Sequence, residues 1–246
     1  MKDCILVDVH THTKGVSLCG QVTCEELIDQ KIAMGYGGCV LTNHCQPHYY
    51  APTAENHAAY VEKAIAEYQR AIPYAKERNF VWMLGIEVTI LKPFYSDWQL
   101  YGVTEEFLRK TPCLHALSQR ELFTLCEEWG VMLVQAHPWR GNLSYCEDMR
   151  PGEKGFLRGL ELNCSSGDRQ RKDKLLASAE EYGVVVTCGT DYHGPNQDFV
   201  GGMFLPNWVR SSVDFAAYLR ETDETVLAYG GEVLKIPNFS KMLQKN

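Results

Sequence analysis

Short apolar runs recur along this chain, and nearly every one ends at a histidine or a carboxylate. The first, 5–7, leads into Asp8-Val9-His10-Thr11-His12, and 38–42 leads into Asn43-His44. Residues 80–88 carry Glu87, 131–134 lead to Ala136-His137-Pro138, and 184–188 lead to Thr190-Asp191-Tyr192-His193. Two more strand-like runs lie at 97–103 and 159–163. Apolar runs this short, bounded by turn residues, read as buried strands.

Helical segments separate them. Thr23 with Glu26, and Ser118 with Glu121, have the spacing of a capping box, which predicts helix starts at both places. Further helices are expected over 54–78, divided or kinked by Pro73, over 169–182, and over 213–220. Short strands alternating with helices predict a parallel sheet of the α/β class. No linker divides the chain, so residues 1–246 are read as a single domain, closed or nearly closed into a β/α barrel. In such barrels chemistry gathers at the C-terminal ends of the strands. That is where this sequence places His10, His12, His44, Glu87, His137, Asp191 and His193.

Successive strand side chains point to opposite faces, so His10 and His12 share one. Two imidazoles on one face at a strand end make a divalent-metal grip, and Asp8 can orient a ring from behind. Composition narrows the partners. The net charge of −7 argues against stable binding of duplex nucleic acid, but not against a small phosphorylated substrate, because bound metals supply local positive charge. The ten cysteines form no CxxC pair. Cys4, Cys39 and Cys188 lie in apolar runs and read as small buried hydrophobes. With no secretory signal, the expectation is a cytoplasmic protein with free thiols. No apolar run approaches a membrane span. Nothing in the sequence specifies an oligomeric state.

The set Asp8-x-His10-x-His12, Thr42-Asn43-His44, Gly85-Ile86-Glu87, Ala136-His137-Pro138 and Gly189-Thr190-Asp191-Tyr192-His193 resembles the motifs of the PHP (polymerase and histidinol phosphatase) superfamily, in its metal-dependent phosphoesterase branch. The motifs occur in the family's order over residues 8–193. The resemblance implies a distorted seven-stranded TIM-like (β/α)7 barrel and two or three divalent ions, and the mixed imidazole and carboxylate set suits Zn, Mn or Fe. It implies hydrolysis of a phosphate ester by a metal-activated hydroxide. Carried over, His10, His12, Glu87 and Asp191 hold one ion, Glu87 bridges to a second shared with His137, and His44 and His193 hold a third. Asp191 and His193 are then catalytic as well as ligating, with His193 able to pass a proton to the leaving group.

Three positions depart from the family pattern. Asn43 stands where aspartate is common and is expected behind the ligands. The loop after the first motif offers Cys19-Gly20 in place of an aspartate or histidine, so Cys19 reads either as a thiolate ligand or as a plain loop thiol. Asp97 stands where many members have histidine, and aspartate is a competent ligand.

Arg140, three residues past His137, is the expected phosphate clamp, because a guanidinium matches phosphate oxygens bidentately. Lys14 is the second candidate. His115 reads as structural or surface, His57 as an exposed helix residue, and 169–174 as a solvated helix start. His48 reads as a pocket-rim or loop residue, and Asn163 as a substrate contact or a cap. Two rival readings are an amidohydrolase, for which Lys92 would be the bridging lysine, and a non-catalytic metal-binding module.

Overall fold

A computed structural model describes residues 3–140, 150–164 and 171–242. The chain opens with β1 (Cys4–Thr11), α1 (Cys24–Ala33), β2 (Gly38–Leu41), β3 (His44–Cys45) and α2 (Ala54–Glu77). Next come β4 (Val81–Leu84), β5 (Ile86–Ile90), β6 (Ser96–Tyr101), α3 (Glu105–Lys110), a 3₁₀ turn (Leu114–Ala116) and α4 (Gln119–Trp129). Then follow β7 (Met132–Gln135), β8 (Gly159–Glu161), α5 (Lys172–Tyr182) and β9 (Val185–Thr187). The described chain finishes with β10 (Gly201–Pro206), α6 (Ser212–Glu221), β11 (Glu224–Tyr229), β12 (Glu232–Pro237) and α7 (Phe239–Met242).

The strands form two six-stranded sheets, ordered β12-β11-β10-β1-β2-β4 and β3-β5-β6-β7-β8-β9. The fold is mixed α/β, and the expectation of a parallel sheet is corrected: its ladders are not all parallel. β6 runs antiparallel to both β5 and β7. The reason is local. Only residues 91–95 join β5 to β6, and a parallel crossover needs about a dozen residues or more. A second departure is the antiparallel meander β10-β11-β12 on the outer side of β1.

The sheets meet where chain segments pass from one to the other. Two residues separate β2 from β3, and Gly85 alone separates β4 from β5. A side chain on Gly85 would come within 2.7 Å of Val40 Cγ1, so only glycine lets the strand turn there beside β2. At the far side, Thr11 pairs in parallel with Tyr192 just beyond β9. His12 N–H donates to the Tyr192 carbonyl at 2.8 Å, and Tyr192 N–H donates to the His10 carbonyl at 3.1 Å. These contacts bring the ends of the first and last motifs together.

The larger core packs Trp98, Leu100, Tyr101, Met83, Val134 and Phe215 among the strands and helices. A second cluster of Leu27, Ile28, Cys39, Phe80 and Trp82 seats α1 and α2 on β2 and β4. Each fully buried side chain of this kind contributes about 1.5–3 kcal/mol. Both expected capping boxes form, at Thr23 and at Ser118. Pro73 does not divide α2, which runs through it. Its missing N–H removes one backbone bond from a helix otherwise held by Tyr60, Val61, Ile65 and Ala71 on its buried side. Among the cysteines, Cys39 and Cys188 are buried as expected, but Cys4 is exposed at the start of β1. No helix of the described residues is long and apolar enough to cross a membrane.

Candidate metal centre

Strand register sets the site. His44 on β3 lies opposite Glu87 on β5, and Glu87 lies opposite Gln99 on β6. β1 brings His10 and His12 to the same end, and the turns after β7 and β9 bring His137 and Asp191. Both of the last two have positive φ, 29° and 55°. Left-handed backbone at non-glycine residues is sparsely populated and gathers at functional sites.

Glu87 is the centre of the arrangement. Its side chain is fully buried, and ring nitrogens of four histidines converge on its two oxygens. His10 Nε2 and His137 Nε2 each lie 3.3 Å from Oε1, while His44 Nδ1 lies 2.7 Å and His12 Nε2 3.4 Å from Oε2. None of these approaches has hydrogen-bond geometry, so both oxygens are without a hydrogen-bond donor among the described residues. His10 Nε2 and His12 Nε2 are themselves only 3.0 Å apart. A buried carboxylate without donors costs several kcal/mol unless a cation meets it. Lone pairs aimed at shared points are what divalent ions require, so this donor set fits them.

Three groups of potential ligands result. His10, His12, Glu87 and Asp191 form the first, and Glu87, Asp97 and His137 the second. His12, His44 and His193 form the third, the ligand atoms within each group lying within 4.8 Å of one another. All eight ligand candidates read from the sequence therefore come together. Cys19 stands beside the third group without belonging to it. Burial alone would raise its thiol, but hydrogen bonds with His193 and His44 outweigh that and bring it down to about 6. A thiol so readily ionised is a competent ligand.

The charges hold one another in place. Burial pushes Glu87 and Asp191 upward, but neighbouring cations prevail and both are held well below the usual carboxylate range. For Glu87 those neighbours are His10 and His44, and for Asp191 chiefly Arg140. Burial, then the Glu87 charge, raises Asp97, whose Oδ1 accepts the Thr89 hydroxyl at 2.5 Å. Burial lowers His10, but Glu161 and Glu87 overcome it, and the ring is held well above its ordinary value. His12 goes the other way, pushed down by burial and by His44 and His193.

The surrounding groups differ from expectation at Asp8. It does not orient a histidine ring. Its carboxylate accepts from Lys31 Nζ at 2.5 Å and from the Thr190 amide at 3.0 Å, with Lys31 wholly buried. The ring of His10 is set by Glu161 instead, which accepts from Nδ1 at 2.8 Å and turns Nε2 toward the cluster. Glu161 Oε2 also takes the His137 amide at 3.1 Å. Gly189 makes room for this contact, since a Cβ there would sit 2.5 Å from His10 Cβ. Gln99 is another group that motif reading missed. Its amide nitrogen is 2.9 Å from His10 Nε2, and a half-turn would offer Oε1, which has no partner among the described residues.

Asn43 holds the loop behind the ligands, accepting from the Thr13 amide at 2.8 Å and the Ser17 hydroxyl at 2.9 Å. Arg140 Nη1 lies 2.6 Å from Asp191 Oδ2 at the mouth. Lys14 pairs with Glu26 on the surface, half exposed. His48, with Gln46, Tyr49 and Tyr95, lines a cavity of about 350 Å³, and the Tyr49 ring is 5.8 Å from that of His44. Asn163 donates to Glu161 Oε2 at 3.2 Å. Lys92 is exposed, so the bridging lysine of the amidohydrolase reading is not at the cluster. His57 is buried, against expectation, and His115 is buried away from the cluster. Arg169 and Gln170 lie outside the described residues.

Solved structures share this architecture. PsfC from Pseudomonas syringae superimposes with a TM-score of 0.66 at 14% identity, over 99% of this chain and 96% of that one. A two-domain protein from Bacteroides vulgatus, containing a predicted PHP-like metal-dependent phosphoesterase, gives 0.63 at 15% over 94% of this chain and 66% of its own. A protein from Bifidobacterium adolescentis assigned as a metal-dependent phosphoesterase gives 0.56 at 16% over 78% and 89%. The chain has the fold of PHP-like metal-dependent phosphoesterases. No protein-family model and no curated protein sequence matches it. At these identities, what the PHP likeness shares with the chain is architecture, into which the motifs fall in order.

Proposed function

We propose that this chain is a PHP-superfamily hydrolase that uses two or three divalent ions to cleave a phosphate ester. The observation that carries the reading is Glu87: a buried carboxylate with four imidazoles aimed at it and no hydrogen-bond donor among the described residues. In this reading the strands β1, β2/β3, β4/β5, β6, β7, β8 and β9 are the seven positions of a distorted TIM-like ring, drawn closed at Thr11 and Tyr192.

His10, His12, Glu87 and Asp191 would hold the first ion, Glu87, Asp97 and His137 the second, and His44, His193 and Cys19 the third. Such ions supply Lewis acidity, neutralise phosphate oxygens and make water nucleophilic near neutral pH. The protein's own groups do the rest. Glu161 fixes the His10 tautomer. Arg140 presents guanidinium donors at the mouth, where they can pass from Asp191 to a phosphate oxygen. His193 Nδ1 is committed to the Asp191 carbonyl at 2.7 Å, which leaves Nε2 alone for chemistry. One nitrogen cannot both hold an ion and carry a proton. Its place beside His12 and His44 favours holding the third ion, and the proton for the leaving group would then pass through another group.

The chain's location, its oligomeric state and its exact substrate do not enter this reading beyond a small phosphorylated molecule entering near Tyr49 and His48. The test is a panel of phosphomonoesters, phosphodiesters and amides offered to metal-loaded protein. Turnover confined to the phosphate esters supports the proposal; turnover of amides alone would replace it with the amidohydrolase reading.

A further inference from the structure

A second constellation of ligand-type side chains lies on the other side of β3. Cys45 directly follows His44, so in the strand its side chain leaves on the opposite face from the cluster. There it meets His115 of the 3₁₀ turn and His57 of α2. The three are buried, and their ligand atoms lie within 4.8 Å of one another. Cys45 Sγ is 3.2 Å from His115 Nδ1. Cys113, two residues before His115, puts its Sγ 3.6 Å from His115 Nε2 and 3.8 Å from Nδ1. In a tetrahedral zinc site the bonds are about 2.3 Å to sulfur and 2.0–2.1 Å to nitrogen, so sulfur and nitrogen ligands sit roughly 3.5 Å apart. The two cysteine separations from His115 are near that; Cys113 stands beside the group of three, outside its 4.8 Å limit, and would close in as the fourth ligand on metal binding.

His57 is the independent sign that something binds here. Only 5% of it is exposed, yet neither ring nitrogen has a hydrogen-bond partner among the described residues. A thiol hydrogen bond from Cys45 to His115 would account for that pair, but it leaves His57 unexplained.

We propose that Cys45, His57, Cys113 and His115 bind a zinc ion as a structural Cys2His2 site, separate from the Glu87 cluster. Thiolate and imidazole ligands together select zinc over the harder ions, and four protein ligands leave no open position for chemistry. The ion would tie α2 and the 3₁₀ turn to β3, and so hold the backbone of His44 from behind. The inference does not depend on the reaction proposed for the cluster.

Cobalt substitution tests it, because a thiolate-to-cobalt charge-transfer band reports cysteine ligation directly. Cys19 could give the same band, so the measurement is made on full-length Cys19→Ser protein reloaded with cobalt. The band is expected there, should weaken when Cys45→Ser is added, and should be lost when Cys45→Ser and Cys113→Ser are both added. Zinc bound by as-purified His57→Gln protein should fall short of wild type by about one equivalent. A folded, cobalt-loaded Cys19→Ser protein without the band would overturn the site, even if the Cys45 variant cannot be made. So would a band that persists at full strength once Cys19, Cys45 and Cys113 are all replaced by Ser, or an unchanged zinc content in folded His57→Gln.

Discussion

Glu161 accepts a hydrogen bond from His10 Nδ1 at 2.8 Å while its other oxygen takes the His137 amide, so one buried carboxylate orients a candidate ligand and the backbone of another. Replacing Glu161 with Gln removes the charge and offers a donor where the ring also donates. Loss of such a supporting group typically costs about 10–100-fold in metal affinity or activity. Glu161→Gln is therefore expected to weaken metal binding by that range, measured by competition with a chelator, while the circular dichroism spectrum stays native. Wild-type affinity would remove Glu161 from the account.

The Lys31–Asp8 pair is a structural prediction. Both side chains are fully buried, and Asp8 also anchors Thr190, next to Asp191. Removing one partner of a buried pair strands the other charge, at a cost of about 3–5 kcal/mol. Lys31→Met should lower the unfolding free energy by that amount in urea. A loss below about 1 kcal/mol would show that the pair carries little.

Metal binding should release protons. Burial opposes protonation of His10 and His44, but the surrounding carboxylates win and both rings are held above their ordinary value. A ligating imidazole must be neutral. In metal-free protein these two rings therefore stay protonated past the usual histidine range, and an ion has to displace those protons. Apparent affinity is expected to rise with pH through and above about 6.5. The same raised values contribute stability to metal-free protein that is fully present below about 6.5 and lost as pH rises through the folded-state values. Calorimetric titrations in buffers of different ionisation enthalpy would count the protons; a buffer-independent heat would contradict the ring assignments.

Arg140 should serve the substrate. It pairs with Asp191 Oδ2 but cannot itself coordinate a metal. Arg140→Ala is expected to keep its metal and to lose phosphate-ester turnover by about 1.5–3 kcal/mol, the worth of a charged hydrogen bond. Arg140→Lys should recover only part, because lysine lacks the bidentate fork. Steady-state kinetics beside metal analysis decides; wild-type turnover in Arg140→Ala would end the clamp role.

The candidate ligands were legible in the sequence because each sits at or just beyond a short apolar run, and a strand end is visible without knowing its neighbours. His10, His12, Glu87, His137 and Asp191 all carry that local mark. Glu161, Gln99 and Lys31 do not. Each is a polar residue inside an element, and nothing nearby in sequence says that it is buried against a residue far along the chain. His57 misled for a related reason: a histidine near a helix start looks solvated until the 3₁₀ turn packs on it. The antiparallel setting of β6 was readable from the five-residue connection 91–95, a length signal that the alternation of strands and helices obscured. The β10–β12 meander left only short, weakly alternating runs.

The most direct test of the central claim is phosphate-ester turnover by one preparation of the protein before chelation, after chelation, and after reloading with manganese or zinc. The account predicts activity that disappears with the metal and returns with it, and that Glu87→Gln cannot regain on reloading. Full turnover by metal-free protein would contradict it.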